Sequence, residues 1–386
     1  MIVLPSKAHE IQVNGHTLQV PIVWLGQSVD TSVLSARVPE MHAWPVLTSL
    51  GDAMRRIRYL KSHFNEHLRL KLGLSGPLMI DSGGFVLMTK KVTGWSASTV
   101  AKVYRQVDAD ILVSLDLPPS STDTPAQRRK KRQSTISNLR WLSSEFEPER
   151  LMPVIHGATI GEIQDSCAAV QKISPRPHWI GLGGLVPMLR QFGRREMGSS
   201  RARYDHFSTS LATVRRAFPY SLVHVFGAGA PRSCLAAFAL GAHSADSQAW
   251  RQAAGFGSIY VPGKGQRILE WTRPHKRPRP IVDVDDRRLL AACTCPACRR
   301  YRTRDLRIRQ LKDGFEARSI HNAWVLREEV NALRDAARVG NLKSFLEGRL
   351  PKTWLEIVLQ NWSEKPTEVV TSAAVESRNA SSPVAL

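Results

Sequence analysis

The feature that most constrains the fold of this chain is an alternation of short apolar runs with longer helix-like segments. Eight runs, most of them rich in Val, Ile and Leu, are predicted to be strands, at residues 21–26, 77–80, 111–115, 151–155, 179–183, 222–227, 242–245 and 258–262. Such alternation is typical of βαβ units and a parallel sheet. Eight units predict an α/β fold of the closed (β/α)8 TIM-barrel type, and a chain of 386 residues with 42% hydrophobic content can fill its core.

Polar residues and glycines stand directly after most of these runs. In barrel enzymes the active site is built at the C-terminal ends of the strands. We therefore expect functional residues among these positions, which are DSGGF at 81–85, Asp116, His156 with Gly157, Gly184 with Leu185, Ala228 with Gly229, and Asp246.

The pattern changes after residue 265, and a connector rich in Pro and Arg follows at 272–280. We predict a barrel over residues 1–270, and an appended zinc-binding subdomain with C-terminal helices over 271–362. Two helices are expected in that second part, at about 318–338 and 341–362. The tail, 363–386, is polar and poor in aromatic residues, which predicts disorder.

Cys293, Cys295 and Cys298 lie so close together that their spacing is typical of a metal site and not of disulfides. Structural zinc takes four ligands in a tetrahedron. The fourth must come from elsewhere, and the other two cysteines fall inside the predicted barrel. His321, at the start of a predicted helix, is the best candidate, with unbound thiols and a core or capping histidine as alternatives. A Cys3His set leaves no open position, so the Zn²⁺ would be structural.

The net charge of +21, from 54 Lys and Arg against 33 Asp and Glu, predicts a polyanionic partner such as nucleic acid, with simple solubility as the alternative. Cationic residues cluster at 128–132, which we expect to be a loop, at 274–280 and at 299–309. We expect no signal peptide, and no apolar run approaches the length of a membrane span. These features predict a reduced, cytoplasmic protein with no membrane association.

In their order and spacing, the motifs resemble those of the tRNA-guanine transglycosylase superfamily. The resemblance covers roughly residues 75–340, and it is carried by DSGGF (81–85), SLDLPP (114–119), IGLGGL (180–185), FGAGAP (226–231), SADSQAW (244–250) and CTCPAC (293–298) with His321. It implies a (β/α)8 barrel with an inserted zinc module. It also implies an enzyme that exchanges guanine in a nucleic acid for a 7-deazaguanine, through a covalent aspartyl–sugar intermediate.

The resemblance further implies a role for each strand-end residue. Asp246 matches the nucleophile, Asp81 matches the general acid/base, and Asp116 matches the carboxylate that recognises the guanine edge. The other base-binding residues that it implies are Phe85, His156, Gly184, Leu185, Phe226 and Gly227, and the implied zinc ligands are Cys293, Cys295, Cys298 and His321.

The chemistry of base exchange suits these residue types. Substitution at C1′ passes through an oxocarbenium-like transition state, so one carboxylate can attack the sugar while a second manages protons. Two aromatic faces add stacking of about 1–3 kcal/mol per base, and a target base in a duplex or stem must be flipped out or presented single-stranded. Each of these residues also has a purely structural alternative. Asp81 and Asp246 could cap helices, Asp116 could be a turn residue, and Phe85, Phe226 and His156 could be residues of the core.

The sequence departs from the family's tRNA-modifying bacterial enzymes at three places. Val86 and His156 stand where those enzymes usually carry Gln, and Ser247–Arg251 stands where they carry a Pro-Thr-Arg stretch. These departures favour the divergent branch that inserts 7-cyano-7-deazaguanine into DNA, with a queuine- or archaeosine-type tRNA enzyme as the alternative. His156 is a candidate to face the substituent at position 7.

Two functions of other classes compete with this hypothesis. One is a non-catalytic accessory subunit that binds nucleic acid, which the presence of both Asp81 and Asp246 disfavours. The other is a zinc hydrolase on a barrel. It would need His and carboxylate metal ligands at the strand ends, and the only histidines near those ends are His156 and His224. Because members of the family often pair as dimers, a second copy is a candidate partner, as are other proteins of a modification system.

Overall fold

The computed structural model describes residues 9–29, 34–52, 63–89, 95–184, 200–269 and 280–363. The strands are β1 His9–Val13, β2 His16–Val20, β3 Ile22–Gly26, β4 Val46–Ser49, β5 Leu78–Asp81, β6 Ile111–Val113, β7 Leu151–Met152, β8 Val154–Ile155, β9 Trp179–Leu182, β10 Leu222–Val225, β11 Ser244–Ser247, β12 Ser258–Val261 and β13 Gly265–Ile268.

The helices lie between and after these strands. They are α1 Leu34–Arg37, α2 Leu68–Leu72, α3 Gly84–Thr89, α4 Ala97–Tyr104, α5 Pro125–Leu142, α6 Ile160–Gln171, α7 Ser200–Ala217, α8 Pro231–Ala239, α9 Ala249–Gly255, α10 Val284–Ala291, α11 Pro296–Arg299, α12 Arg304–Asp313, α13 Phe315–Arg338, α14 Leu342–Glu347 and α15 Lys352–Ser363, with short 3₁₀ turns at Pro39–Met41 and Leu50–Asp52.

The main sheet is a parallel barrel. Its nine strand segments follow the order β7-β6-β5-β4-β3-β11-β10-β9-β8. Only Pro153 separates β7 from β8, and Pro has no N–H for a sheet hydrogen bond. The two ends of the order are therefore one interrupted strand, and the sheet closes on itself as eight strands. The predicted (β/α)8 fold is confirmed.

One predicted barrel strand is wrong, and one strand of the barrel was not predicted. The run 258–262 was expected to be the eighth barrel strand, but β12 pairs antiparallel with β13 in a separate two-stranded sheet. Its place in the barrel belongs to β4, which pairs in parallel with β3 and β5. The sequence VLTS is short and ends in polar residues, so it gives little apolar signal.

The barrel interior is closed at its N-terminal end by the hairpin β1–β2. Its turn is Asn14–Gly15, and both residues have positive φ, as a two-residue turn of this kind requires. The hairpin's apolar side chains pack in one buried cluster with barrel-facing residues such as Trp24 and Trp179. Asn14 also donates a hydrogen bond of 2.7 Å to Asp110, just before β6. The opposite, C-terminal end therefore remains for the site.

The helices are placed by local signals that follow each strand. Thr124 and Gln127 form a capping box at the start of α5, where Pro125 fits the first turn. The basic run 128–132 lies on this helix, so the prediction of a loop there was wrong. After the barrel, α13 packs against α8, α9 and β12, and Arg334 on it donates two hydrogen bonds to the Pro21 carbonyl.

The C-terminal region departs from the sequence prediction at one point. A single helix was expected over about 341–362, but α14 ends at Glu347 and α15 begins at Lys352. Pro351 between them disfavours a continuous helix, because proline restricts the residue before it and lacks an N–H. Residues 364–386 of the predicted tail lie outside the described residues. None of the described helices combines the length and the apolar character that crossing a membrane would require.

Candidate active site and metal cluster

Three of the predicted site residues are carboxylates at the C-terminal mouth of the barrel. Asp81 is the last residue of β5, Asp246 lies within β11, and Asp116 lies three residues beyond the end of β6. The charges of Asp116 and Asp246 both act on Asp81. The structure therefore brings the three groups into one electrostatic environment, as the ends of parallel strands in a barrel must meet at one face.

Asp81 is held by a hydroxyl and a backbone amide. Ser49, its register neighbour on β4, donates a hydrogen bond of 2.6 Å to Oδ2, and the Gly83 amide donates another of 3.2 Å. Burial and the negative charge of Asp116 raise the pKa of Asp81, the Ser49 hydrogen bond opposes them, and the charge of Asp246 adds to the rise, giving a value of about 7. A carboxyl group with this pKa can both donate and accept a proton near neutrality.

Asp116 is paired with His156, which follows β8. His156 Nε2 lies 2.7 Å from Asp116 Oδ2, and both side chains are buried. Ser82 approaches the other oxygen, Oδ1, at 3.3 Å. Backbone packing fixes this position, because a Cβ on Gly84 would lie 2.0 Å from Oδ1. Asp116 is thus not a simple turn residue, whereas His156, buried and hydrogen-bonded to Asp116, fits both a base-binding role and the alternative of a satisfied core histidine.

Asp246 has a different pair of partners. The Gly227 amide donates a hydrogen bond of 2.6 Å to Oδ1, and His224 Nε2 lies 3.4 Å from the same oxygen. Gly227 has φ of +66°, a left-handed conformation that suits glycine and turns its amide toward the carboxylate. Asp246 does not cap α9, since that helix has Gln248 at its N-cap and no side-chain cap.

The two predicted aromatic residues lie in different environments. Phe85, at the start of α3, is 54% exposed. Phe226 is partly buried against the barrel interior, with its ring edge-on to His224 at a centroid distance of 4.5 Å. A Cβ on Gly181 would lie 2.5 Å from Phe226 Cε2, so that glycine makes room for the ring. Leu185 lies outside the described residues.

Gly184 lies just beyond β9 and beside the His156 pair. Its φ is +75°, and a Cβ there would be in ordinary contact with His156 and Pro119, at 3.7 Å from each. The constraint at Gly184 is therefore conformational and not steric. The position turns the backbone at the end of β9 next to Asp116 and His156.

Two residues next to the carboxylates, Ser49 and His224, were not predicted as site residues. Ser49 was missed together with its strand, and His224 was considered only as a potential metal ligand. A signal for His224 exists, since side chains two apart on a strand share a face. His224 therefore faces the interior with Phe226, the predicted base-binding residue.

The cationic run on α5 begins next to the site. Arg128, Lys131 and Arg132 each form an ion pair with a neighbouring carboxylate, and Arg128 and Arg132 line a groove that also includes His156. Arg129 and Lys130 are exposed. The cluster predicted at 274–280 falls almost wholly outside the described residues.

The four predicted metal ligands meet at one point. The Sγ atoms of Cys293, Cys295 and Cys298 and a ring nitrogen of His321 all lie within 4.8 Å of one another. His321 Nδ1 is 3.4, 3.6 and 3.6 Å from the three sulfurs. A tetrahedral zinc with its usual bond lengths separates sulfur from nitrogen by about 3.6 Å. The cluster therefore fits a metal ion held by all four ligands.

The surroundings of the cluster orient the imidazole. His321 Nε2 lies 2.8 Å from the Tyr260 carbonyl on β12, which leaves Nδ1 directed at the sulfurs. The next residue, Asn322, accepts a hydrogen bond from the Tyr260 amide and donates to the Trp250 and Ser258 carbonyls. These contacts fix α13 against the small sheet β12–β13, so the Cys3His cluster lies where the cysteine segment meets the barrel's C-terminal extension.

The fold and the site define a class: an α/β barrel with carboxylates at its C-terminal mouth and a Cys3His cluster after its last strand that could hold a metal ion. A family model described as queuine tRNA-ribosyltransferase matches residues 46–353. The chain belongs to this family, the TGT family.

Curated relatives are similar at low identity. A tRNA-guanine(15) transglycosylase of Pyrococcus abyssi is 24% identical over 342 residues, which cover 88% of this chain and 54% of the relative. Its counterpart in Methanosarcina mazei is 26% identical, covering 72% and 51%, and that in Methanopyrus kandleri is 23% identical, covering 90% and 71%. The chain spans about half the length of the first two of these relatives.

Proposed function

We propose that this chain is a pentosyltransferase that exchanges a guanine in a nucleic acid for a 7-deazaguanine, through a covalent bond between Asp246 and the sugar. The observation that carries the proposal is the grouping of Asp81, Asp116 and Asp246 in one mouth, with the pKa of Asp81 raised to about 7 by burial and by its acidic neighbours. A buried carboxyl group whose pKa is raised toward neutrality by nearby carboxylates is typical of an active-site acid/base.

The reaction has two half-steps. In the first, an Asp246 oxygen forms a bond to C1′ as the bond from C1′ to guanine breaks, and protonated Asp81 gives its proton to the departing base. In the second, the ionised Asp81 removes a proton from the incoming base, whose nitrogen bonds to C1′ as the ester to Asp246 breaks. Asp81 alternates between acid and base, which a pKa of about 7 permits.

Asp116 is the group that selects the base in this proposal. Its carboxylate can accept from both N1–H and the exocyclic amine of a guanine-type ring, whereas adenine has an acceptor at N1. The 2.7 Å contact from His156 to Oδ2 fixes the carboxylate's plane. A site built to satisfy a buried carboxylate rejects bases that leave it unpaired. Phe85 and Phe226 are the proposed stacking faces for the base.

DNA and tRNA are both candidate acceptors, and different observations favour each. The names of the curated relatives favour tRNA. The residues that differ from the bacterial tRNA enzymes, among them His156 beside Asp116, favour DNA and a 7-cyano base. The surplus of cations suits either polyanion.

We propose zinc as the metal at the Cys3His cluster. Three thiolates and one imidazole are a preferred donor set for structural Zn²⁺. Four protein ligands leave no position for a substrate, so the ion would supply stability to the segment and no catalytic step.

The decisive experiment measures the incorporation of labelled guanine into DNA and into tRNA in parallel. We expect exchange into one of them by the wild-type chain, and none by Asp246→Asn, which should still bind the acceptor. An adduct that survives denaturation should form with the wild-type chain alone. Exchange into neither acceptor, or an adduct with the Asp246 variant, would refute the proposal.

A further inference from the structure

His224 is a buried histidine whose two ring nitrogens differ in their contacts. It lies on β10, fully buried, with Nδ1 2.8 Å from the Ser244 hydroxyl on the neighbouring strand. Within the described part of the chain, Nε2 makes no hydrogen bond of good geometry, and it lies 3.4 Å from Asp246 Oδ1. A buried donor without a partner is costly, and hydrogen bonds in empty active sites are often long until substrate binds. The ring is therefore poised toward Asp246.

The two oxygens of Asp246 have unequal surroundings. Oδ1 accepts the 2.6 Å hydrogen bond from the Gly227 amide and faces His224 Nε2. Among the described residues, no donor is found for Oδ2. A carboxylate held by one oxygen presents the other as its free nucleophilic atom.

We propose that His224 is a positioning residue that, together with the Gly227 amide, holds Oδ1 of Asp246 and leaves Oδ2 to attack C1′. The inference rests on the proposed function and adds to it which oxygen reacts. Ser244 has a hydroxyl that can donate to Nδ1, which places the proton on Nε2, facing the carboxylate.

In the proposed arrangement, the two oxygens of Asp246 change their bonding differently in the two half-steps. When Oδ2 bonds to C1′, the electron pair of the broken bond leaves with guanine, and Oδ1 becomes the carbonyl oxygen of the ester. When the second base attacks, the bond from C1′ to Oδ2 breaks and its electron pair returns to the carboxylate. The donors on Oδ1 then stabilise the returning charge. Loss of the His224 donor should slow the second half-step more than the first.

Two amide substitutions at His224 distinguish the effect of a donor at the position of Nε2 from the effect of changing the size of the side chain. The side-chain nitrogen of His224→Gln reaches about as far as Nε2, whereas that of His224→Asn reaches about as far as Nδ1 and keeps only the Ser244 contact. His178→Gln is the control, because His178 precedes β9 at the opposite end of the barrel. Rapid-quench kinetics on denaturing gels give the rates of adduct formation and of adduct resolution.

We expect His224→Asn to slow adduct resolution about tenfold, with a smaller effect on formation, so that adduct accumulates. His224→Gln and His178→Gln should stay within about threefold of wild type. Ser244→Ala should fall between them, because Nδ1 loses its donor. Equal rates for the Asn and Gln variants, or equal losses in both half-steps, would overturn the inference. If the wild-type chain forms no adduct, the proposed function itself fails, which is a distinguishable result.

Discussion

Replacing Ser49 tests how the pKa of Asp81 is set. The hydroxyl donates a 2.6 Å hydrogen bond to Asp81 Oδ2, and this bond lowers the pKa of Asp81 because it favours the charged form. A hydrogen bond to a charged group contributes about 1.5–3 kcal/mol, and one pKa unit corresponds to about 1.4 kcal/mol. Ser49→Ala should therefore raise the pKa of Asp81 by about one to two units above its value of about 7.

The effect should appear in the pH dependence of adduct formation. That half-step requires protonated Asp81, so its rate falls as pH rises through the pKa of this group. In single-turnover experiments on the acceptor, we expect the alkaline limb of Ser49→Ala to move upward by about one to two pH units. The plateau at lower pH should be reduced, because a weaker acid transfers its proton less readily.

The matched control for this experiment is Ser49→Thr. Threonine keeps the hydroxyl, and its alkaline limb should remain near that of wild type. An unmoved limb in Ser49→Ala, or the same displacement in both variants, would show that Asp81 is not the proton donor or that Ser49 does not set its pKa.

Three further predictions concern the metal content of the Cys3His cluster, the stability of the fold as a function of pH, and the choice of base. Metal analysis should find about one zinc per chain, and Cys295→Ser or His321→Ala should lose it and lower Tm; equal metal content in the variants would contradict the assignment. The pKa of Asp81 is raised from 3.8 to about 7, so its contribution to stability is fully present below the unfolded value and is lost as pH rises through about 7. Asp81→Asn should therefore gain in Tm relative to wild type between about pH 4 and pH 8, and a constant difference would refute the shift. His156→Ala should weaken the preference for guanine-type bases over adenine about tenfold, as expected when a carboxylate loses its positioning hydrogen bond; unchanged competition between the bases would exclude that role.

The strand-end residues were predictable because a local pattern fixes them. Asp81, Asp116 and His156 each follow an apolar run closely, and the C-terminal ends of parallel strands meet at one face. Once the runs are recognised as parallel strands, the convergence of these side chains follows. The Cys3His cluster could equally be predicted from the sequence, because the spacing of its cysteines is local and His321 lies on a helix that follows them.

The pairing between strands was harder to predict from the sequence. Ser258–Val261 has the same residue types as a barrel strand but pairs with the next hairpin strand, and nothing within four residues specifies the partner. Val46–Ser49 sits in the barrel although its own apolar signal is weak. Contacts that depend on strand register, such as Ser49 with Asp81 and His224 with Ser244, could not be predicted from local sequence patterns for the same reason.

The three carboxylates of the mouth are distinguished by their partners. Asp116 and Asp246 each face a buried histidine, at 2.7 Å and 3.4 Å, whereas the described residues that hydrogen-bond to Asp81 offer a hydroxyl, from Ser49, and an amide, from Gly83. Like charges in one partly desolvated site disfavour simultaneous ionisation, and the proton settles where the charged form is least supported. Asp81, which burial and both acidic neighbours act upon, is that group. The raised pKa of Asp81 therefore supports its proposed role as the acid, and the histidine contacts support the proposed roles of Asp246 as nucleophile and Asp116 as base reader.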